Sequence, residues 1–230
     1  MANSALFTIP HFISGTIEKR LNRFVVQVKI RSQKAFAHIN NTGRLLEILR
    51  PGARAFCIPS RWKRARYRLF AVGPRNRAVL IDTRLQMSAF EQALKLGLLP
   101  WLKNAFIHQR SPHLLGSTFD YLICDTHKIL VEVKSATLKS NDYAFYPDCP
   151  SARARRQISD MIRTPYSRKI IVFIATVPEV CAFRPNKNAD PELYFFLREA
   201  KKRGIELRCI HVVFSPPRIL LLNPDLPVLL

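Results

Sequence analysis

The chain has 230 residues, of which 48% are hydrophobic, and its formal net charge is +21. This hydrophobic content supplies a sizeable core and excludes a chain that is disordered throughout. Residues 1–84 contain 17 Lys and Arg but three acidic residues, so +14 of the charge lies there. A charge this large indicates a polyanionic partner, nucleic acid first and an anionic membrane surface second.

The two ends of the sequence lack the usual signals of export and membrane insertion. Pro10 interrupts the first apolar stretch, and the apolar segment 219–230 is short and contains Pro224 and Pro227. The five cysteines are widely spaced and form no Cys-x-x-Cys pair, which argues against a zinc ribbon or a disulfide framework. We therefore predict a cytoplasmic protein with reduced thiols.

Residues 1–84 are predicted to form one β-rich domain. The expected strands cover residues 23–30, 34–39, 55–58, 67–72 and 78–81. A short helix is expected over 44–49, ended by Pro51 and Gly52. About five short strands with one small helix fit an OB-type barrel better than a sandwich. Such barrels often bind single-stranded nucleic acid through basic grooves and stacked aromatic side chains.

A strongly basic segment lies within this first domain. Nine basic residues and no acidic residue occur from Arg50 to Arg77, interleaved with Trp62 and Tyr67. Cations beside aromatic rings suit phosphate contact and base stacking. The predicted nucleic-acid-binding residues of this segment are Arg61, Trp62, Lys63, Arg64 and Arg66. The alternative, which we favour less, is a solvated hairpin loop whose aromatic side chains pack inward.

Helix and strand patterns alternate in the second domain, residues 85–230. A capping box that starts at Ser88 and a stop at Gly97 predict a helix over 88–96, and a short helix is expected over 101–107. The later elements are a hairpin at 119–133, a helix at 151–163, a buried strand at 169–176, a helix from Asp190 to Gly204, and strands at 206–214 and 218–222. This order predicts an α/β sheet covered by helices.

The central hairpin carries the candidate chemistry. Residues 119–124 and 129–133 are its predicted strands. Because side chains alternate across a strand, Glu132 and Lys134 share one face, and Asp120 can lie beside them on the neighbouring strand. Two carboxylates suit Mg²⁺ or Mn²⁺, which can polarise a phosphoryl oxygen, and a nearby lysine can position water or stabilise the transition state.

An unremarkable interpretation of the same trio is a cross-strand charge pair on a solvated hairpin. An Asp followed at a loose spacing by Glu-x-Lys is common by chance, so the residues alone favour that interpretation. Arg153 and Arg156 share one face of the predicted helix 151–163 and could clamp phosphate near a metal. A solvated basic face explains these arginines equally well.

Several segments together resemble the sugar fermentation stimulation protein A family. They are 20–24 (RLNRF), 38–45 (HINNTGRL), Pro51-Gly52, 119–121 (FDY), 131–138 (VEVKSATL), 146–150 (YPDCP), Asp190-Pro191 and 204–206 (GIE). The resemblance implies an N-terminal OB-like β-barrel followed by a PD-(D/E)xK restriction-endonuclease-like α/β domain. It also implies DNA binding, and it places the core motif of this fold on Asp120, Glu132 and Lys134.

The sequence departs from the family pattern near this motif. Ser111 stands nearest to a glutamate that the family usually has before the hairpin, and Thr118 stands at its motif arginine. The family's Arg-Gly-x-x-His run is replaced by Arg153-Ala-Arg-Arg-Gln157. Loss of an outer carboxylate would weaken metal binding, or leave a site that binds nucleic acid without cleaving it.

The sequence therefore predicts a two-domain nucleic-acid-binding protein, with DNA favoured over RNA. The leading hypothesis is a Mg²⁺- or Mn²⁺-dependent nuclease with Asp120 and Glu132 as metal ligands and Lys134 as a catalytic residue. The competing class is a non-catalytic DNA-binding or regulatory protein with the same fold. A peripheral membrane protein is a weaker third option, because the sequence lacks a suitable amphipathic helix. Strandedness and oligomeric state stay open.

Overall fold

The computed structural model describes residues 3–62 and 65–230. The first part contains β1 (Ser4–Thr8), β2 (Ile13–Arg20), β3 (Val25–Ile30), β4 (Gln33–His38), β5 (Arg54–Pro59), β6 (Tyr67–Val72), β7 (Val79–Leu80) and α1 (Thr83–Lys95). There follow β8 (Phe106–Arg110), β9 (His113–Leu114), β10 (Ser117–Thr118), β11 (Tyr121–Cys124), β12 (Lys128–Ala136), β13 (Leu138–Ser140), β14 (Tyr143–Tyr146) and α2 (Ala152–Arg163). The last elements are β15 (Arg168–Ala175), β16 (Ala182–Pro185), α3 (Pro191–Lys202), β17 (Glu206–Ser215) and β18 (Arg218–Asn223).

Strands β2 to β6 form a closed five-stranded barrel. The order is β4-β3-β2-β5-β6, and a parallel pairing between β4 and β6 closes the ring. Side chains alternate along the strands, so Val26, Val28 and Ala37 fill the interior while their neighbours face outward. This strand order is that of an OB fold, and the predicted barrel is confirmed.

The helix predicted over 44–49 is wrong. Residues 46–48 form a turn, in which Leu49 N donates to Leu45 O at 2.9 Å. Leu45 has a φ of 49°, which an α-helix cannot contain. A six-residue segment also gains too few hydrogen bonds to offset helix nucleation.

A seven-stranded sheet forms the centre of the second half, in the order β1-β18-β17-β15-β12-β11-β8. Strands β12, β15 and β17 run parallel and lie in its middle. Ile171 and Phe173 of β15 belong to the core shared with α2 and α3, whereas Ile170 and Val172 belong to the core shared with α1. The sheet is therefore covered on both faces, as the continuous apolar pattern of β15 predicts.

The boundaries of two predicted elements differ in the structure. Helix α1 begins at Thr83 rather than at 88, because Asp82 accepts a hydrogen bond from Leu85 N and caps the helix. The helix predicted over 101–107 is wrong, since residues 106–110 pair with β11 as an edge strand. Tertiary pairing here overrides the local sequence preference.

The first strand joins the second sheet, since β1 pairs antiparallel with β18. The division of the chain after residue 84 therefore stays a prediction.

Helix α2 is capped by Ser151, and α3 by Asp190 with Pro191 in its first turn. Among the described residues, the helices all fall short of the length and apolar character that crossing a bilayer requires.

Candidate functional site

Asp120, Glu132 and Lys134 converge at the end of the β11–β12 hairpin away from its turn. The hairpin register places Asp120, one residue before β11, opposite Glu132. Val133 N donates to Asp120 Oδ2 at 2.7 Å, which fixes this carboxylate beside β12. Lys134 Nζ donates to Glu132 Oε1 at 2.6 Å. The structure thus brings the predicted trio together, although their roles stay a prediction.

The trio lines a cavity of about 310 Å³ between the barrel and the α/β domain. Helix α2 contributes Arg153 and Gln157 to its wall, and the barrel contributes Arg23. Gln157 Oε1 accepts from Lys134 Nζ at 2.8 Å, so the ammonium is held from two sides. The cavity therefore combines acids from the second half of the chain with cations from both halves.

Burial affects the protonation of all three residues of the trio. It raises the pKa of Glu132 to about 7, against the opposing attraction of Lys134. Burial likewise raises the pKa of Asp120, although the Val133 N–H and Lys134 favour its charged form. Burial disfavours the Lys134 ammonium, but Glu132, Tyr146 and Asp120 together outweigh this effect and raise the lysine pKa. A further positive charge in the cavity would favour the ionised form of both acids.

The donor set fits a hard divalent cation. Glu132 Oε2 is buried and has no hydrogen-bond partner among the described residues. A buried carboxylate oxygen without a partner is costly, and a bound ion can satisfy it. Residues 3–62 and 65–230 contain no group of three or more His, Cys, Asp or Glu side chains suited to a metal. Two carboxylates and several waters are the ligand set that Mg²⁺ commonly takes.

Comparisons with known proteins identify the family. Residues 19–81 match the family described as SfsA N-terminal OB domain, and residues 84–218 match the sugar fermentation stimulation protein RE domain. The chain belongs to the sugar fermentation stimulation protein family. The predicted fold class, an OB-like β-barrel followed by a PD-(D/E)xK restriction-endonuclease-like α/β domain, is confirmed.

Relatives of this family match the chain over most of its length. A sugar fermentation stimulation protein homolog of Archaeoglobus fulgidus is 40% identical over 226 residues, 98% of this chain and 99% of the relative. One from Pyrococcus furiosus is 41% identical over 195 residues, 84% of this chain and 85% of the relative. The solved structure of Pyrococcus furiosus SfsA in complex with Ca²⁺ has a TM-score of 0.93 and 37% identity, and the match covers 99% and 100% of the two chains.

Positions that depart from the family pattern lie close to Asp120 in the chain trace. Ser111 N donates to Asp120 O at 3.0 Å, but the Ser111 side chain is outside the cavity wall. Thr118 O accepts from Gln157 Nε2 at 2.8 Å. Gln157, which ends the altered Arg153 run, thus links Lys134 to the segment before Asp120. Sequence reasoning named this position as a departure but gave it no role.

The predicted arginine pair of α2 separates in the structure. Arg153 is exposed and lines the cavity, whereas Arg156 is exposed but lies outside the cavity wall. Arg155 instead forms ion pairs with Asp190 at 3.2 Å and Glu192 at 2.9 Å, which tie α2 to α3. Of the three arginines, Arg153 is placed to contact a molecule bound beside the trio.

Three of the predicted nucleic-acid-binding residues of the first domain lie between β5 and β6. Arg61, Trp62 and Arg66 are exposed there, and none of them lines the cavity of the trio. Lys63 and Arg64 lie outside the described residues. Sequence reasoning missed the barrel arginine that does reach the cavity, Arg23, whose position depends on how the two halves pack.

A polar network joins the barrel to the residues around the cavity. Asp82 Oδ1 accepts from Asn40 Nδ2 at 3.0 Å, and Asp82 Oδ2 lies 3.1 Å from Arg68 Nε in an ion pair without hydrogen-bond alignment. Asn41 Nδ2 donates to Ser135 Oγ of β12 at 3.3 Å. These contacts hold the segment after β4 at the rim of the site.

Proposed function

We propose that the chain is a divalent-metal-dependent nuclease that binds nucleic acid, with DNA favoured over RNA. The observation that carries the proposal is the buried Glu132 Oε2, which has no partner among the described residues and belongs to a side chain that shares a cavity with Asp120 and Lys134. In this proposal Asp120 and Glu132 hold Mg²⁺ or Mn²⁺. When bound, such an ion would polarise a phosphodiester oxygen and lower the pKa of a water.

The similar Pyrococcus furiosus SfsA structure was determined with Ca²⁺. Calcium is a hard cation that prefers oxygen ligands, as Mg²⁺ and Mn²⁺ do. This likeness supports a divalent cation at the oxygen-rich cavity of this chain. Which ion serves is part of the proposal.

One N–H donor of the Lys134 ammonium stays available for the reaction. Its ammonium donates to Glu132 Oε1 and Gln157 Oε1, and an ammonium has three donors. The third donor can orient an attacking water or stabilise charge on the phosphate in the transition state. Gln157 acts as a positioning residue, because its side chain links the ammonium to the backbone of Thr118.

Exposed guanidinium groups at the cavity wall can hold the substrate phosphates. Arg153 belongs to α2 and Arg23 belongs to the loop between β2 and β3, so they approach from different domains. Guanidinium groups bind phosphate oxygens through paired, charge-assisted hydrogen bonds. Arg156 keeps its proposed role only as a more distant contact to nucleic acid.

A non-catalytic DNA-binding protein is the second candidate. It is favoured by Ser111 and Thr118, which stand where the family usually has a glutamate and an arginine. The test is incubation of the purified protein with labelled single-stranded and duplex DNA and RNA, in Mg²⁺, Mn²⁺ or chelator. Metal-dependent cleavage supports the nuclease, whereas binding without cleavage of any substrate supports the second candidate.

The cytoplasmic location predicted from the sequence stays a prediction.

A further inference from the structure

The outer face of barrel strands β3 and β4 carries side chains that the metal cavity does not use. The register pairs Gln27 with Phe36 and Lys29 with Lys34, and these four side chains point away from the barrel interior. Phe36 is 46% exposed, and both lysines are exposed. Phe36 and the Lys29–Lys34 pair are thus neighbours on one exposed face of the barrel.

A second aromatic group lies farther along the same face. His38 follows Phe36 by two residues and therefore points to the same side. The ring of Trp62 lies 5.3 Å from the His38 ring, at an interplanar angle of 66°. Trp62 is still 43% exposed. The face thus presents two exposed aromatic groups, Phe36 and the Trp62–His38 pair.

A basic groove of about 570 Å³ runs beside Phe36. It opens because β4 pairs with β6 at Ala37 and His38 but not at its earlier residues. The cations of its wall are Arg31, Lys34 and Arg66. No acidic residue lies in the described part of this wall. Glu18, on the neighbouring strand, accepts a hydrogen bond from Gln27.

The same strand leads to the metal cavity. Asn40 follows Phe36 by four residues, so their Cα atoms lie within roughly 14 Å of each other. Asn40 and Asn41 line the cavity that contains Asp120 and Glu132. A chain bound along the outer face of β4 would therefore run toward the wall of this cavity.

We infer that this face binds single-stranded nucleic acid and delivers it to the cavity. Phe36 and Trp62 stack on bases, while Lys34 and Arg66 contact the phosphates. A base can stack on a protein ring only when it is free of its neighbours, which single strands allow and intact duplexes do not. The delivery step rests on the proposed nuclease function, whereas the binding step stands without it.

Fluorescence anisotropy in chelator measures binding without cleavage. The probes are labelled dT and rU strands of ~15 nucleotides and a duplex of equal length. We expect the wild type to bind at least one single strand more tightly than the duplex. Phe36→Ala and Trp62→Ala should each weaken that binding by roughly tenfold, as loss of a stacked base does. Phe36→Tyr and Trp62→Phe keep a ring and should restore it.

Phe195→Ala is the matched control, because Phe195 is 65% exposed on α3 and lies outside the groove wall. It should bind as the wild type does, and unfolding midpoints check that every variant folds. Unchanged single-strand binding in both Phe36→Ala and Trp62→Ala, or equal loss in Phe195→Ala, would overturn the inference. Weakened binding by a protein that cleaves nothing supports this face while rejecting the nuclease. Cleavage by the wild type, with unchanged single-strand binding in both variants, supports the nuclease while rejecting this face.

Discussion

Lys134 Nζ lies 2.6 Å from Glu132 Oε1, and both side chains are less than a tenth exposed. Removing two charges from water is costly, and their attraction offsets this cost only in good geometry. Gln157 supplies a further hydrogen bond to the ammonium. The same ion pair therefore contributes to the free energy of unfolding and positions two residues of the proposed active site.

Breaking this ion pair should destabilise the metal-free protein. Lys134→Met leaves the Glu132 carboxylate buried without its partner, and we expect a loss of about 3–5 kcal/mol in the free energy of unfolding. Urea denaturation in chelator at pH 8 measures the change. The double variant Glu132→Gln/Lys134→Met should recover most of the loss, because both charges are then gone. Equal instability of the single and double variants would contradict the account.

Divalent metal should stabilise the protein through Asp120 and Glu132. A ligand at 100 times its Kd stabilises by about 2.7 kcal/mol, so Mn²⁺ should raise the thermal unfolding midpoint by several degrees. Asp120→Asn and Glu132→Gln should remove this rise. Asp142→Asn is the control, since Asp142 is exposed and outside the cavity wall. A rise that persists in both ligand variants would place the metal elsewhere.

Asp82 should hold the barrel to the second domain. It caps α1 through Leu85 N, bonds to Asn40 and pairs with Arg68. Asp82→Ala should cost about 2–4 kcal/mol in unfolding free energy, since a cap and a buried partner are lost together. Asp82→Asn keeps a capping oxygen and should cost clearly less. Thermal or urea unfolding separates the two, and a loss below ~0.5 kcal/mol in Asp82→Ala would refute this role.

Acid should weaken the fold through His211. Burial lowers the pKa of His211, with help from Arg77 and Lys139, although His211 Nε2 donates to Val177 O at 2.8 Å. A lowered pKa means that the folded state binds its proton less readily than the unfolded state. The stabilisation is thus complete above the ordinary value of 6.5 and is lost as pH falls through the lowered pKa.

Unfolding free energies at pH 7.5 and 5.5 test this effect. The wild type should lose more than His211→Gln over this interval, by up to about 1 kcal/mol, because the glutamine does not titrate. Carboxylates titrate in both proteins and cancel in the comparison. Identical losses would show that His211 does not contribute.

Local signals in the sequence predicted several elements well. Asp190 followed by Pro191 marked the start of α3, because a capping oxygen and a fixed φ act within one turn. The alternation of strand residues predicted the barrel, and the hairpin pattern placed Asp120 beside Glu132. These features depend on neighbours in the chain.

Other features depend on how distant segments pack. Nothing local indicates that β1 pairs with β18, or that Arg23 reaches the cavity from the barrel. The capping box at Ser88 was present, but Asp82 lay earlier and was held by barrel contacts with Asn40. The cost of an unpartnered Glu132 oxygen also becomes visible only when its burial is known.

Cleavage of labelled nucleic acid by the wild type and by Glu132→Gln tests the central claim most directly. Glu179→Gln is the matched control, because the Glu179 side chain is 78% exposed. We predict metal-dependent cleavage that chelator abolishes, unchanged by Glu179→Gln and reduced about 100-fold or more by Glu132→Gln. Cleavage at the wild-type rate by Glu132→Gln, or none by the wild type with any substrate and either metal, would contradict the proposed nuclease.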